Sequence, residues 1–547
     1  MFALMRDRST CEKVLAKMRD NLSLFNPGPV RLLEAGRFWL GWFPCKPSDN
    51  LHVFADGFVV GKLAFDELNS TEPTYHQDAT PDDLHPLLTS ITLKVQEDAI
   101  IVIPNGVTNV FYCRDAVSDM ALLIADAKGL RPDPIGAAVL GTAGFMPGSL
   151  TLFNEIRLIP PLHSYDPVHG TLRKMRDFVP QKWDDEAMVE RLVSIVPKGV
   201  ATYLGLSSGY DSRFVLGCLL KAGVRPSLVH LNSEENAVVA QIAYELGLPL
   251  TIDDGAPLLP TYVYTLTTDA QIYHRGGNYS RLRRSVVADS VYHTGQFSRS
   301  ILKVSAGSVV KTPGTRQSLP EQYVLFEMCH GCRETLTGLR RSVELKELKK
   351  HLLADVDFYT SYCSLTTRKQ LACWLMHVFD YLRWATAHMA DMGFYTYPVY
   401  LLSDFTALSY GITSPLWEVM GNDRVRSLNH KLLPDLTAPY DDGTRHRPYN
   451  ALVEPFHKLH YEYGHRAFMV LRDRWQVRRG HGTRTGAQAL TVVGDPPPSF
   501  LECYAEDLPT ILSGRYSRSF KRAAVTVYMC CQYLDVGHAP DVQEDER

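Results

Sequence analysis

The chain has 547 residues, enough for about two to four domains of ordinary size. Hydrophobic residues make up 45% and charged residues 21%, which is typical of a globular protein and excludes collagen-like, coiled-coil and largely disordered classes. The formal net charge is −3, so the overall charge gives no support for binding to nucleic acid or to a membrane surface.

Targeting signals and cysteine usage predict where the protein works. No stretch reaches the roughly 18 consecutive apolar residues of a membrane-spanning helix. The N-terminus becomes charged at Arg6 and lacks the apolar core of a signal peptide. The 11 cysteines are odd in number and scattered, which favours a reduced compartment over a disulfide scaffold. We therefore expect a cytoplasmic protein.

The first 180 or so residues are predicted to be mainly β-structure. Short apolar stretches bounded by Gly, Pro, Asn or Asp predict strands over 37–43, 51–60, 99–104, 108–112, 149–161 and 163–172. Between them, 116–128 carries apolar residues on one helical face and is followed by Gly129, so we expect a helix there.

The pattern changes at about residues 180–185. Acidic residues precede a predicted helix over 187–196, where the helix dipole favours negative charge. Strands are then predicted over 199–206, 225–232 and 248–253, with helices between them over 213–222 and 234–246. This alternation predicts a parallel α/β sheet. Further helices are predicted over 345–354, 367–392, 403–410 and 457–477.

The loop 207–212 reads Ser-Ser-Gly-Tyr-Asp-Ser and follows a predicted buried strand. Small residues let the backbone approach an anion, and the start of the next helix offers unpaired N–H groups and a positive dipole end. The hydroxyls of Ser207, Ser208 and Ser212 can donate to phosphate oxygens, and Asp211 can hold a magnesium ion that bridges them. The alternative is an ordinary strand–turn–helix connection in which Asp or Ser caps the helix.

This loop resembles the Ser-Gly-Gly-x-Asp-Ser pyrophosphate motif of the PP-loop ATP pyrophosphatases, with Ser208 in place of the first glycine. The strand ending at Leu231-Asn232 and the helix beginning near Glu235 are similar to that family as well. Upstream, 152–161 (Leu-Phe-Asn-Glu-Ile-Arg-Leu-Ile-Pro-Pro) resembles the glutaminase-like half of asparagine synthetases. Downstream, 426–434 resembles the Leu-Arg…Leu-Pro segment of the same superfamily, so the resemblance spans nearly the whole chain.

The resemblance implies a fold and a reaction class. The fold is an α+β sandwich of the Ntn-hydrolase type over 1–182, followed over 183–547 by an α/β parallel-sheet PP-loop domain with a large helical portion. In the reaction, ATP adenylates a substrate carboxylate, an amine attacks the acyl-adenylate to form an amide, and magnesium pyrophosphate is held in the loop. The superfamily includes asparagine synthetases, β-lactam and carbapenam synthetases, and the macrolactam synthetases of lasso peptides. ATP and Mg²⁺ are the cofactors it implies.

The resemblance also implies a set of binding residues. Asp211 is the expected magnesium ligand. The residues expected to bind ATP lie in the loop or at neighbouring strand ends: Leu206, Ser207, Ser208, Gly209, Asp211, Ser212, Leu231, Asn232, Ser305 and Gly307.

The chain departs from the glutamine-dependent members at position 2. Those members need a cysteine exposed as the N-terminal residue after Met1 is removed, because its own α-amine serves as the base. Position 2 here is Phe2, and the nearest cysteine, Cys11, falls in a predicted helix. We therefore expect no glutamine hydrolysis and an amine supplied by the substrate or free in solution.

Two further departures concern charge at the ATP site. The acidic metal-binding turn of the family is replaced by Ser-Ala-Gly-Ser-Val-Val-Lys over 305–311, and the lysine expected after Leu433-Pro434 is missing. Arg445 and Arg447 could stand in as catalytic residues, since guanidinium groups pair well with phosphate. The alternative is that both are solvated loop arginines.

The sequence thus predicts an ATP-dependent amide synthetase, most simply for a natural product or peptide of the macrolactam or β-lactam type. Its expected partners are a small-molecule or peptide carboxylate and an amine donor, with no nucleic acid and no membrane. A homodimer or a biosynthetic partner protein remains open. The alternatives are a non-catalytic scaffold that kept the fold and an asparagine synthetase that uses ammonia.

Overall fold

The structure is a computed structural model. It describes residues 1–45, 50–61, 72–80, 90–105, 108–178, 185–194, 196–254, 261–272, 285–286, 290–294, 315–324, 339, 345–365, 368–375, 395–397, 423–440, 490–492, 496–514, 516, 518–538 and 542–544. Within these ranges no helix combines the length and apolar character needed to cross a bilayer.

The N-terminal part is a pair of stacked β-sheets. Its strands are β1 (Phe2–Met5), β2 (Arg31–Ala35), β3 (Phe38–Trp42), β4 (Leu51–Phe54), β5 (Gly57–Val60), β6 (Thr74–Tyr75), β7 (Ile91–Val95), β8 (Ile100–Pro104), β9 (Phe111–Cys113), β10 (Ala116–Ser118), β11 (Arg157–Leu158), β12 (His163–Asp166) and β13 (Thr171–Lys174). Six form an antiparallel sheet in the order β11-β9-β10-β1-β3-β2. Seven form a second sheet in the order β13-β12-β8-β7-β5-β4-β6, antiparallel except for the β4–β6 pair.

Alternation along β1 shows how the sheets pack. Successive side chains of a strand point to opposite faces. Phe2 and Leu4 lie in the apolar core between the two sheets, whereas Ala3 and Met5 belong to the core on the other face. That second core includes α1 (Arg8–Asn21), α2 (Ala121–Lys128) and α3 (Pro134–Ala143).

Several predicted elements differ in detail. The stretches 51–60 and 163–172 are each a hairpin of two strands rather than one strand, because the chain reverses at 55–56 and at 167–170. The predicted helix 116–128 begins as strand β10 and becomes helical only at Ala121. Of the strand predicted over 149–161, only β11 pairs.

The second part contains a parallel sheet with strands β14 (Thr202–Gly205), β15 (Ser227–Leu231), β16 (Leu250–Asp253), β17 (Val291–Thr294) and β18 (Tyr395–Tyr397). Their order is β16-β15-β14-β17-β18, and each adjacent pair is parallel. Helices α4 (Asp185–Ser194), α5 (Tyr210–Lys221) and α6 (Asn236–Leu246) belong to the same stretch of chain. The predicted parallel α/β sheet is confirmed, and the described chain as a whole is mixed α/β with antiparallel sheets in its first part.

The remaining described elements are mostly helices: α7 (Thr261–Thr267), α8 (Leu319–Tyr323), α9 (Leu345–Ser361), α10 (Arg368–Trp374), α11 (Asp423–Leu432), α12 (Pro498–Cys503), α13 (Leu508–Ser513) and α14 (Arg518–Cys531). The other described elements are a 3₁₀ turn (Ser23–Phe25) and a π-helical turn (Gln532–Val536). There is also an antiparallel pair of short strands, β19 (Leu490–Val492) and β20 (Val542–Glu544). The helices predicted over 403–410 and 457–477, and most of 367–392, lie outside the described residues.

One apolar core joins the two parts of the chain. It contains residues of α1, α2 and α3 together with residues of α7, α9, α10 and α14. Two buried carboxylates from the second part also accept backbone hydrogen bonds from the first. Asp269 accepts from the N–H groups of Ala121 (2.7 Å) and Leu122 (2.9 Å), and Asp355 accepts from that of Ser149 (2.8 Å).

Candidate functional site

The loop 207–212 lies at the carboxyl edge of the parallel sheet, between β14 and α5. Open parallel sheets place their ligand sites outside this edge. The backbone N–H of Leu206 bonds to the carbonyl of Val229 at 2.9 Å, which extends the ladder to the start of the loop. A Cβ at Gly205 would stand 2.0 Å from the hydroxyl of Tyr292, so only glycine fits where the strand ends.

The serine hydroxyls of the loop bond mainly to the loop itself. Ser212 Oγ accepts from the N–H of Ser207 at 3.0 Å and lies 3.0 Å from Ser207 Oγ. Ser207 Oγ in turn accepts from the N–H of Gly209 at 3.3 Å. Ser208 and Ser212 are both buried, whereas Ser207 and Gly209 are half-exposed. The hydroxyls therefore shape the loop, and the partly open side presents Ser207, Gly209 and Asp211.

A carboxylate from outside the loop accepts a hydrogen bond from the backbone amide of Ser208. The N–H of Ser208 donates to Glu235 Oε2 at 2.7 Å, a charge-assisted hydrogen bond. Glu235 immediately precedes α6 and is half-buried. The sequence marks Glu235 as part of the motif but does not show this contact, because the two residues are 27 positions apart.

Asp211 lies in the first turn of α5 and is half-exposed at the same edge. Within the described ranges, no three His, Cys, Asp or Glu side chains are grouped so as to hold a metal ion. Mg²⁺ in nucleotide sites is commonly bound by one or two carboxylates, with phosphate oxygens and water completing the shell. The half-exposed carboxylate of Asp211, whose Oδ1 is buried, fits that kind of site as one ligand.

The end of β15 lies beside the loop. Leu231 is half-buried and Asn232 is exposed. The side-chain oxygen of Asn232 accepts from Asn236 at 2.6 Å, and its backbone N–H bonds to the carbonyl of Asp253 at 2.8 Å. One ring nitrogen of His230 lies 2.7 Å from the carbonyl oxygen of Leu206, which links this strand end to the loop. Leu206 itself is buried in the core, and Ser305 and Gly307 lie outside the described residues.

A fully buried arginine holds the segment 437–440 against the start of α5. Arg213 Nη1 donates to the carbonyl of Ala438 at 2.7 Å, and Nη2 donates to that of Pro439. Its guanidinium lies 4.0 Å from the ring centre of Tyr440, which stacks on Tyr210 with centroids 4.4 Å apart. Tyr440 therefore lies directly beside α5, the helix that follows the loop.

Glu245 of α6 holds the same segment from its other end. Its carboxylate accepts from the N–H and the hydroxyl of Thr437, both at 2.7 Å. These bonds, chiefly the one from the hydroxyl, lower the pKa of Glu245 to about 2. Arg445 and Arg447 follow a few residues later and lie outside the described residues, so the structure locates only the segment that leads to them.

The N-terminal strand carries no accessible nucleophile at position 2. Phe2 is fully buried between the sheets, and its N–H donates to Asp119 at 3.0 Å. Cys11 is buried in α1, and desolvation raises the pKa of its thiol to about 12. At neutral pH this thiol is therefore protonated and unreactive.

A concave feature lies away from the loop, between α3, the segment 146–157 and α9. The space within it is open to solvent and amounts to about 310 Å³, and its polar lining includes Asn154, Arg157 and His351. None of the residues predicted to bind ATP lines it.

Comparison of the chain with protein-family models and with curated proteins gives no match.

Proposed function

We propose that the chain is an ATP-dependent amide synthetase of the asparagine synthetase type, which activates a carboxylate as its adenylate and joins it to an amine. The observation that carries this proposal is the position of the Ser-Ser-Gly-Tyr-Asp-Ser loop. It leads from a central parallel strand into α5, beside the end of β15, which is where a PP-loop would hold pyrophosphate. The stacked sheets upstream are compatible with the Ntn-type arrangement that belongs to this proposal.

The proposed chemistry assigns distinct tasks to the residues of this edge. Ser207, Ser208, Gly209 and Ser212 would hold the phosphate tail through the loop backbone and hydroxyls, and Leu231 and Asn232 would border the nucleoside. Asp211 would hold Mg²⁺, which supplies positive charge against the departing pyrophosphate when it is bound. Stabilising that charge is chiefly electrostatic, so no covalent nucleophile of the protein is needed.

The remaining assignments lie outside the described residues and belong to the same proposal. Arg445 and Arg447 would balance charge on the adenylate, and Ser305 and Gly307 would line the adenine and ribose pocket. Tyr440, which precedes both arginines in the sequence by a few residues, lies beside the start of α5. Because position 2 is Phe2, whose side chain has no nucleophilic atom, the amine would come from the substrate or from solution.

The test measures calorimetric binding of ATP with and without Mg²⁺, followed by pyrophosphate release with a panel of amino-acid and peptide carboxylates. We expect Mg²⁺-dependent binding that Asp211→Ala weakens by about tenfold or more, because a charge-assisted contact contributes about 1.5–3 kcal/mol. Pyrophosphate release should fall in parallel.

Asp254→Ala is the matched control. Asp254 follows β16 at the same edge of the sheet and is exposed, so its substitution removes the same charge without touching the loop. Equal effects of the two substitutions would contradict a specific role for Asp211. In a separate assay, formation of asparagine from aspartate and ammonia would identify an asparagine synthetase.

One observation favours the alternative of a non-catalytic scaffold. The N–H groups of Ser207, Ser208 and Gly209 already bond to protein oxygens, as they would in a loop that only connects a strand to a helix. A scaffold of this kind predicts no Mg²⁺-dependent ATP binding by the wild-type protein, so the same calorimetry separates the two functions.

A further inference from the structure

Glu235 is the one carboxylate among the described residues that is seen bonded to a backbone N–H of the loop 207–212. Its Oε2 lies 2.7 Å from the backbone nitrogen of Ser208, and Ser208 is fully buried. The neighbouring amides of Ser207 and Gly209 bond instead to neutral hydroxyls of the loop itself, at 3.0 and 3.3 Å. Of these three amides, that of Ser208 therefore makes the shortest hydrogen bond, and its partner comes from a different element.

A carboxylate oxygen and a phosphate oxygen can each accept a hydrogen bond from the same backbone N–H. Both are anionic acceptors, and both shorten and strengthen the hydrogen bond relative to a neutral acceptor. Glu235 is joined to the end of β15 by only a short link from Leu231, and it is half-buried. A short tether keeps its local concentration at the loop high without any ligand present.

We propose that Glu235 is a tethered anion that holds the loop in its phosphate-accepting shape and gives up the amide of Ser208 when pyrophosphate or the ATP phosphates bind. This role rests on the proposed function and adds a residue that tunes the affinity of the site. The carboxylate keeps the loop ordered before phosphate binds, and its displacement makes phosphate binding weaker than the loop alone would allow. A neutral side chain of the same shape therefore improves binding.

The experiment compares E235Q with the wild-type protein and with E234Q, using inorganic pyrophosphate with Mg²⁺ as the calorimetric probe. The E235Q substitution keeps the shape of the side chain and a neutral acceptor, so we expect the dissociation constant to fall by about tenfold, the difference between a charge-assisted and a neutral hydrogen bond. E234Q removes the same charge one residue away. Glu234 is exposed and makes no hydrogen bond to the described loop, so E234Q is expected to bind as the wild type does.

Hydrogen exchange of peptides covering 205–213 gives a second readout without nucleotide. E235A removes the acceptor altogether, and we expect exchange of these peptides to quicken by about tenfold or more relative to E234A. Equal exchange in the two variants would show that Glu235 does not hold the loop, and it would overturn the inference.

The outcomes separate this inference from the function on which it rests. If the wild type binds Mg²⁺-pyrophosphate and E235Q binds equally or more weakly than E234Q, the displaced-anion role is wrong while the synthetase proposal stands. If neither wild type nor E235Q binds pyrophosphate or ATP, the proposed function is wrong and phosphate displacement of Glu235 is wrong with it.

Discussion

His293 is a titratable side chain on an interior strand of the parallel sheet. It lies on β17, in register with Leu204 of β14 and Tyr397 of β18, and it is fully buried. Desolvation lowers its pKa to about 3. The imidazole is therefore neutral in the folded protein at any pH at which the protein would normally be handled.

Because of this lowered pKa, His293 makes the free energy of unfolding decrease as the pH falls. Its pKa is about 6.5 in an unfolded chain, so between about pH 6.5 and pH 3 the unfolded state binds a proton that the native state does not. The contribution of neutral His293 is complete above pH 6.5 and is lost as the pH falls. From pH 7 to pH 5 we expect this residue alone to remove about 2 kcal/mol from the free energy of unfolding.

His293→Gln isolates this contribution, because glutamine does not titrate. Urea unfolding at pH 7 and pH 5 should show a wild-type stability that falls by about 2 kcal/mol more than that of H293Q. His538→Gln is the control, since His538 is exposed and a residue there is solvated in both states. A wild type and an H293Q variant that lose equal stability between the two pH values would contradict the assignment.

At the scale of elements, α5 and α11 cross where α5 carries a glycine. A Cβ at Gly217 would stand 2.7 Å from Cβ of Leu432, closer than packed carbons approach. Gly217→Ala gains about 1 kcal/mol of helix propensity but must push α11 away. Because α11 leads into the clamped segment 437–440, we expect a net destabilisation of about 1–3 kcal/mol, measured by urea unfolding.

Leu432→Gly is the compensating change. It removes the Cβ that the new methyl group would meet at 2.7 Å, together with the atoms beyond it, so the double variant should be more stable than the sum of the two single losses by about 0.5–3 kcal/mol. Additive losses would show that the helices do not meet at this pair.

The elements that sequence patterning predicts well are those specified by local signals. From 199 to 253 each predicted strand and helix is present, with ends shifted by no more than about three residues, because apolar periodicity and Gly223 and Gly247 mark them within a few positions. The sequence does carry a signal for the hairpin at 51–60, the turn-forming pair Asp56-Gly57, and the prediction of one continuous strand overlooked it. A Cβ at Gly57 would meet the carbonyl of Leu93 at 2.1 Å, a constraint visible only in three dimensions.

At the candidate site, too, some features are specified by local sequence and others are visible only in the folded structure. The loop, Asp211 and the strand end at Asn232 could be found from sequence, because motif and alternation bring them to one edge. Glu235, Glu245 and Tyr440 act through partners 27 to 230 residues away, and nothing in their local sequence names those partners. Arg213 follows the motif directly, yet its role as a buried clamp appears only once 437–440 is seen packed against it.

At the scale of the whole molecule, the two parts of the chain share a core and do not pack as independent units. Residues of the first sheet, of α7 and of α14 lie in one apolar cluster. A core shared in this way couples the unfolding of its halves, since opening either half exposes apolar surface on the other. The buried carboxylate of Asp269 adds to this coupling by accepting from the first two N–H groups of α2.

Asp269→Asn tests the coupling. Asparagine tolerates the left-handed backbone at this position, where φ is 53°, but it has one carbonyl oxygen in place of two charged acceptors. We expect a loss of about 2–3 kcal/mol for the two hydrogen bonds, which cap α2 from the far side of the core. Peptides of β1 and of α14 should lose hydrogen-exchange protection at the same, lower urea concentration.

Asp507→Asn is the control for this substitution, because Asp507 caps its own helix α13 through Thr510 and touches no other part of the chain through that bond. Only a few tenths of a kcal/mol are expected there, since asparagine is as good an N-cap as aspartate. Separate transitions for β1 and α14, or a loss confined to one of them in D269N, would show that the halves fold independently despite their common core.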